Sequence, residues 1–135
     1  MTIKAYSDAS YKNQMAGIGV IVKNNNNIIF QQSYLKSCTS AIDAELLALN
    51  RLLMYLVRSQ ENKKIEQGDR ILVFSDCKNL VSAMYKERIY KKVNKNILSQ
   101  CINYKKVLSK NNEFNILWIP RNGNKQADKL SRRCI

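Results

Sequence analysis

The run Ile3-Lys4-Ala5-Tyr6-Ser7-Asp8-Ala9-Ser10 alternates apolar and polar residues for one strand's length and closes on an aspartate followed by small residues. A period of two predicts a half-buried strand that delivers this carboxylate at its C-terminal edge. In open α/β sheets that edge is where ligands bind. The pattern returns at Ile71-Leu72-Val73-Phe74-Ser75-Asp76, where a β-branched and aromatic run again stops on Ser-Asp. Aspartate after a strand is also an ordinary turn or helix-capping residue, so the pair gains meaning from what the rest of the chain brings to it.

Between these strands the sequence reads as a meander followed by a helix. Tyr11 to Gln14 is a polar connection, and Ala16-Gly17-Ile18-Gly19-Val20-Ile21-Val22 starts a second strand whose glycines suggest close backbone approach. Lys23 and Asn24 to Asn27 form a turn into a third strand, Ile28 to Leu35, antiparallel to the second. Thr39 and Ser40 are candidate caps for a helix from about Ala41 to Val57. Its apolar stripe, Leu49, Leu52, Leu53 and Leu56, extends back by helical spacing to Glu45. A glutamate leading the face that packs on the sheet is costly unless something pairs it. Asp43 points elsewhere and suits the positive end of the helix dipole.

Beyond the charged connection from Arg58 to Arg70, a crossover lays the Ile71 strand parallel to the first, placing Asp8 beside Asp76. A short helix over Lys78–Lys86, with Leu80, Val81, Met84 and Tyr85 inward, leads through a basic link, Arg88 to Lys95, to a helix from about Asn96 to Leu108 carrying Ile97, Cys101, Tyr104 and Leu108. A last strand, Phe114 to Ile119, ends at the sole proline, Pro120, and a final helix starts near Asn124 and carries Asp128. These connections predict an α/β fold over residues 1–135 as a single domain. Its mixed five-stranded sheet has the order 3-2-1-4-5, with strand 2 antiparallel and helices flanking.

Composition narrows the chemistry. The 135 residues are enough to bury roughly two-thirds of the surface an unfolded chain exposes. No apolar run approaches membrane-spanning length and the N-terminus does not resemble a signal peptide, so a cytoplasmic location is expected. Four cysteines without a CxxC pair argue for reduced thiols rather than a zinc site or a disulfide framework. The absence of histidine excludes Ser-His and Cys-His catalysis. Of the net charge of +13, residues 1–77 contribute nine Lys/Arg against seven Asp/Glu and residues 78–135 fourteen against three. Such asymmetry points to a polyanion, most simply nucleic acid.

Asp8, Glu45, Asp76 and Asp128 can all reach one edge of the predicted sheet. Several carboxylates at close quarters raise one another's pKa, and hard divalent cations remove that penalty. All-oxygen ligation suits Mg²⁺ or Mn²⁺, and a pair of such ions activates water and stabilises the leaving oxygen in phosphodiester hydrolysis. A metal-dependent phosphoryl-transfer enzyme is the reading this composition favours.

Four motifs, in order, carry a family resemblance: Ser7-Asp8-Ala9-Ser10 followed by Ala16-Gly17-Ile18-Gly19; Asp43-Ala44-Glu45-Leu46-Leu47-Ala48-Leu49; Phe74-Ser75-Asp76-Cys77-Lys78-Asn79-Leu80-Val81; and Trp118-Ile119-Pro120-Arg121-Asn122-Gly123-Asn124-Lys125-Gln126-Ala127-Asp128-Lys129-Leu130. Together they resemble type 1 ribonuclease H, and the short Arg121–Lys125 connection without histidine resembles its plant-like and archaeal-like branches. The resemblance implies a ribonuclease H-like fold, two Mg²⁺ ions with Mn²⁺ as a substitute, and hydrolysis of the RNA strand of RNA/DNA hybrids to 5′-phosphate and 3′-hydroxyl ends. It implies that Asp8 bridges both ions, Glu45 and Asp76 hold the ion near the leaving oxygen, and Asp128 holds the ion that activates water.

For the substrate, the resemblance implies contacts from Glu45, from backbone near Asn13 and Gln14, from Ser40, and from Arg121 and Asn124; the basic Lys91, Lys92 and Lys95 lie where some relatives grip substrate, with a solvated face as the alternative. A monomer with no obligatory protein partner is expected. Two other readings stand beside this one: a hybrid-binding module without turnover, and a DNA-directed nuclease of the same superfamily. A nucleotide-binding Rossmann-like protein is disfavoured, because no GxGxxG opens a helix.

Overall fold

A computed structural model describes residues 1–86 and 93–134. Three strands come first, β1 (Thr2–Lys12), β2 (Met15–Asn24) and β3 (Asn27–Ser37), then the long helix α1 (Ala41–Glu61) and strand β4 (Arg70–Ser75). Helices α2 (Lys78–Lys86) and α3 (Lys95–Asn111), strand β5 (Glu113–Trp118), a 3₁₀ turn over Arg121–Gly123 and helix α4 (Lys125–Arg132) complete the order. The sheet runs β3-β2-β1-β4-β5, with β2 antiparallel to both neighbours and β1, β4 and β5 parallel, as the connections predict.

Both hairpins are tighter than expected. Asn13-Gln14 and Asn25-Asn26 all have positive φ, the signature of two-residue turns whose twist matches the flanking strands. Lys23, Asn24 and Asn27 therefore stay in the ladder rather than in a loop. α1 runs one turn beyond Val57. The Ser40 hydroxyl accepts the Asp43 N–H at its start, and the Asn62 N–H closes onto the Arg58 and Gln60 carbonyls at its end.

Alternate strand residues serve opposite faces of the sheet. Ile3, Ala5, Val20 and Val22 join the main core under α1, whose Leu46, Leu49, Leu52, Leu53 and Leu56 are fully buried. On the other face α4 seats Ala127 and Leu130 against Ile21, with Tyr6 at their margin. That contact is close enough to need glycine: a Cβ at position 19 would collide with the Ala127 carbonyl and stand 2.5 Å from the Ser131 nitrogen. The backbone approach expected of this strand is thus made by a helix.

Two inward assignments change. In α3 it is Leu98, Cys101 and Leu108 that are buried, while Ile97 and Tyr104 sit at the core's edge. In α2, Leu80, Ala83 and Met84 are buried and Tyr85 is half exposed. The Tyr85 hydroxyl reaches over the outer strand and accepts the Ile116 N–H at 2.7 Å. Among the described residues no helix is long and apolar enough to cross a membrane.

Candidate metal centre

The β1–β4 register places the first two carboxylates. Tyr6 pairs with Phe74, so Asp8 and Asp76 each stand two residues past the same rung of adjacent parallel strands. Asp8 is 4% exposed, and Glu45 and Asp76 are half-buried. Glu45 comes from the first turns of α1, on the side that packs against β1, and its Oε1 accepts the Ala9 N–H at 3.3 Å. One carboxylate oxygen from each of Asp8, Glu45 and Asp76 lies within 4.8 Å of the others.

Such crowding is electrostatically unfavourable. Burial first, then the Asp76 charge, pushes the Asp8 carboxyl up to about 7. Burial, followed by the charges of Asp8 and Asp76, pushes Glu45 up to about 9. Glu45 Oε2 and Asp76 Oδ2 are buried with no hydrogen-bond partner. Buried polar oxygens without partners are rare and call for a missing one. A hard cation answers both the repulsion and the unpartnered lone pairs, so the triad can hold a metal ion.

Asp128 stands apart from that set of three. It lies in the first turn of α4, near enough for its side chain to raise the Asp8 pKa further, while its own Oδ1 is 3.1 Å from Arg132 Nε. Three of the four predicted carboxylates are therefore gathered directly, and the fourth borders them across Asp8.

Residues expected at the substrate are more dispersed. Asn13 and Gln14 form the exposed β1–β2 turn, where the Gln14 carbonyl accepts the Cys38 N–H at 3.1 Å. The Ser40 hydroxyl serves as the α1 cap. Lys95 is exposed at the start of α3, Arg121 is exposed at the start of the 3₁₀ turn, and Lys91 and Lys92 lie outside the described residues. Asn124 differs from the expectation: it is 1% exposed, and its Nδ2 donates to the Ser7 carbonyl at 3.0 Å. Its amide is turned into the protein and holds the backbone next to Asp8.

Two supports carry little signal in the sequence. Trp118 Nε1 donates to the Asp76 carbonyl at 3.2 Å, and Lys78 Nζ lies 4.6 Å from the centroid of the same indole. Ser10 and Ser131 hydroxyls meet at 2.9 Å, tying the end of β1 to α4. In the sequence Trp118 reads as a strand residue opening the fourth motif, not as a donor to Asp76. Its partner, 42 residues away, is fixed by the β4–β5 pairing.

Comparison with known proteins agrees with this architecture. The RNase H1 of the halophilic archaeon Halobacterium salinarum superposes with a TM-score of 0.73 at 16% identity, covering 96% of this chain and 94% of its own. A compost-derived metagenomic RNase H1, solved in complex with an RNA/DNA hybrid, gives 0.73 at 24% identity over 95% and 92%. The N-terminal RNase H domain of a Mycobacterium tuberculosis protein gives 0.74 at 20% identity over 96% and 95%. No curated protein sequence matches the chain. A family model described as "Reverse transcriptase-like" matches residues 6–134. With nearly every residue inside that match and the sheet order of ribonuclease H reproduced, the chain belongs to the reverse transcriptase-like family and has the ribonuclease H-like fold.

Proposed function

We propose that this chain is a metal-dependent endonuclease that hydrolyses the RNA strand of RNA/DNA hybrids, breaking the P–O3′ bond to leave 5′-phosphate and 3′-hydroxyl ends. The observation that carries the reading is the crowded triad of Asp8 and Asp76, at the ends of adjacent strands, and Glu45 from α1, with two buried oxygens lacking any hydrogen-bond partner. The hybrid-bound relative supports the choice of substrate.

Asp8, Glu45, Asp76 and Asp128 would hold Mg²⁺, with Mn²⁺ as a substitute. A pair of such ions supplies Lewis acidity and lowers the pKa of bound water. The chain's own part is to fix the oxygens. Ala9 N–H orients Glu45, Asn124 anchors the strand beside Asp8, and Trp118 anchors the backbone of Asp76. Exposed cations, Lys95 and Arg121 among them, would meet backbone phosphates. Asn13, Gln14 and Ser40 would line the ribose side through backbone and hydroxyl groups. The short Arg121–Gly123 turn supports placement in the short-loop branch that lacks the histidine. We place the protein in the cytoplasm, where its four free thiols would stay reduced, acting as a monomer over one domain, residues 1–135.

The test is incubation of matched RNA/DNA, RNA/RNA and DNA/DNA duplexes with Mg²⁺ or Mn²⁺, comparing the natural chain with Asp8→Asn and Asp76→Asn. Cleavage confined to the hybrid and lost in both variants is expected. Binding without cleavage would make the protein a hybrid-binding module, and cutting of DNA/DNA would make it a DNA nuclease.

A further inference from the structure

The sheet face that carries α4 is only partly covered. α4 has eight residues, about 12 Å of helix, and seats on β1 and β2 near Gly19 and Ile21. Beyond it no other element of the described residues covers the same face. Asp8 and Gly19 share a rung, then Tyr6 with Ile21 and Phe74, then Lys4 with Lys23 and Leu72, then Thr2 with Arg70. Carboxylates thus stand at one end of this face and cations at the other, about 13 Å apart along β1.

The cationic end is a concavity of about 440 Å³ lined by Lys4, Lys23, Arg70, Asn25 and Asn26, with Thr2 and Leu72 beneath. Lys4 and Lys23 are direct cross-strand partners, and like charges in that relation destabilise a sheet. No carboxylate of the described residues lines the concavity. Among the described residues the acid that reaches it is Glu113, 3.6 Å from Arg70 Nε in an exposed pair. A second hollow of about 200 Å³ adjoins it through Lys23 and adds Lys125 at the start of α4. Next to the cations lies an apolar floor in which two aromatic rings lean on each other. Tyr6 and Phe74 stack at 5.0 Å, and Leu117, on the rung of Phe74, is 41% exposed.

Lys4 and Lys23, which have no ion-pair partner among the described residues, and an apolar floor beside them match the two halves of a nucleotide. Phosphates need the former, and unstacked bases lie on the latter. We propose that this open face binds single-stranded nucleic acid, its backbone along Lys4, Lys23 and Arg70 and its bases over Phe74 and Leu117, at a site separate from the carboxylate rim. A duplex fits the floor poorly because its bases are already stacked on one another. The site does not depend on hydrolysis, so it stands or falls independently of the reaction proposed above.

The experiment is the binding of a labelled oligothymidylate to the intact chain in EDTA across a salt series, compared with the Lys4→Gln/Lys23→Gln double variant. We expect at least a tenfold loss of affinity at low salt, and a log–log salt slope shallower by about 1.4, two phosphate contacts at about 0.7 each. We expect cleavage of a short blunt-ended hybrid to stay within twofold, and a melting temperature no lower than that of the natural chain, since a repulsive pair has been removed. An unchanged slope overturns the proposal. So does a parallel loss of hybrid cleavage, which would assign the lysines to the rim's own substrate. Displacement of the oligonucleotide by polyglutamate at equal charge also overturns it, in favour of an acidic protein.

Discussion

Gly19 lies so close to α4 that the Ala127 carbonyl and the Ser131 nitrogen occupy the space a side chain would take. Because α4 carries Asp128, this glycine sets how near that carboxylate stands to Asp8. Gly19→Ala must push the helix off the sheet, since the obstructing atoms are backbone. The expected cost is about 1–3 kcal/mol, the usual range for overpacking. Chemical denaturation reads the stability, and hydrolysis should fall by more than the unfolded fraction explains, because Asp128 moves with the helix.

Without metal, the protein should lose stability as pH rises. The folded-state carboxyls of Asp8 and Glu45 are raised to about 7 and about 9, so folding favours their protonated forms. That contribution is fully present below the ordinary carboxylate range. It is lost as pH climbs through about 7 and then about 9. Thermal melts in EDTA from pH 5 to pH 9.5 should show a declining midpoint, Mg²⁺ should restore it at the alkaline end, and Glu45→Gln should flatten it. A flat profile for the natural chain would remove the electrostatic case for a cation.

Asn124→Ala should weaken both the fold and the site. It strips the Ser7 carbonyl of its donor in a fully buried setting, for an expected loss of about 1–3 kcal/mol. Asp8 follows Ser7 directly, so Mg²⁺ affinity, measured by calorimetry on the folded variant, should also drop. Unchanged affinity would confine Asn124 to a packing role.

Gln14 holds φ of 61° in the β1–β2 turn, where a residue with a Cβ is strained. Gln14→Gly creates an Asn-Gly turn, the strongest short hairpin signal. A gain of about 0.5–1 kcal/mol is expected, read as a higher denaturation midpoint. Loss of stability would mean that the glutamine side chain does more than tolerate the turn.

The strands that deliver Asp8 and Asp76 were legible because alternation and a terminal carboxylate are both local properties, and parallel pairing then fixes their adjacency. Glu45 was legible because helical spacing put an acid on an apolar stripe. Asn124 was not, since its partner Ser7 lies 117 positions away and the motif pointed its amide at substrate instead. The position of Asp128 was legible only to within a helix turn: its pairing with Arg132 depends on side-chain direction, which spacing leaves open. Helical spacing predicts Tyr85 inward, but an exposed ring can still be required by a single hydroxyl, and apolar periodicity carries no record of that.

That hydroxyl has a consequence for how copies of the chain meet. An outer strand ordinarily offers a row of unclaimed backbone donors and acceptors to any passing strand. On β5 the Ile116 donor is already claimed by Tyr85, whereas β3, at the opposite margin, shows Ile28, Ile29 and Leu35 to solvent. Of the two flanks, β3 is therefore the less interrupted template for an incoming strand. Were two molecules to join β3 to β3, only the β5 edges interrupted by Tyr85 would face outward, so such a pairing would stop at two rather than extend into a fibre.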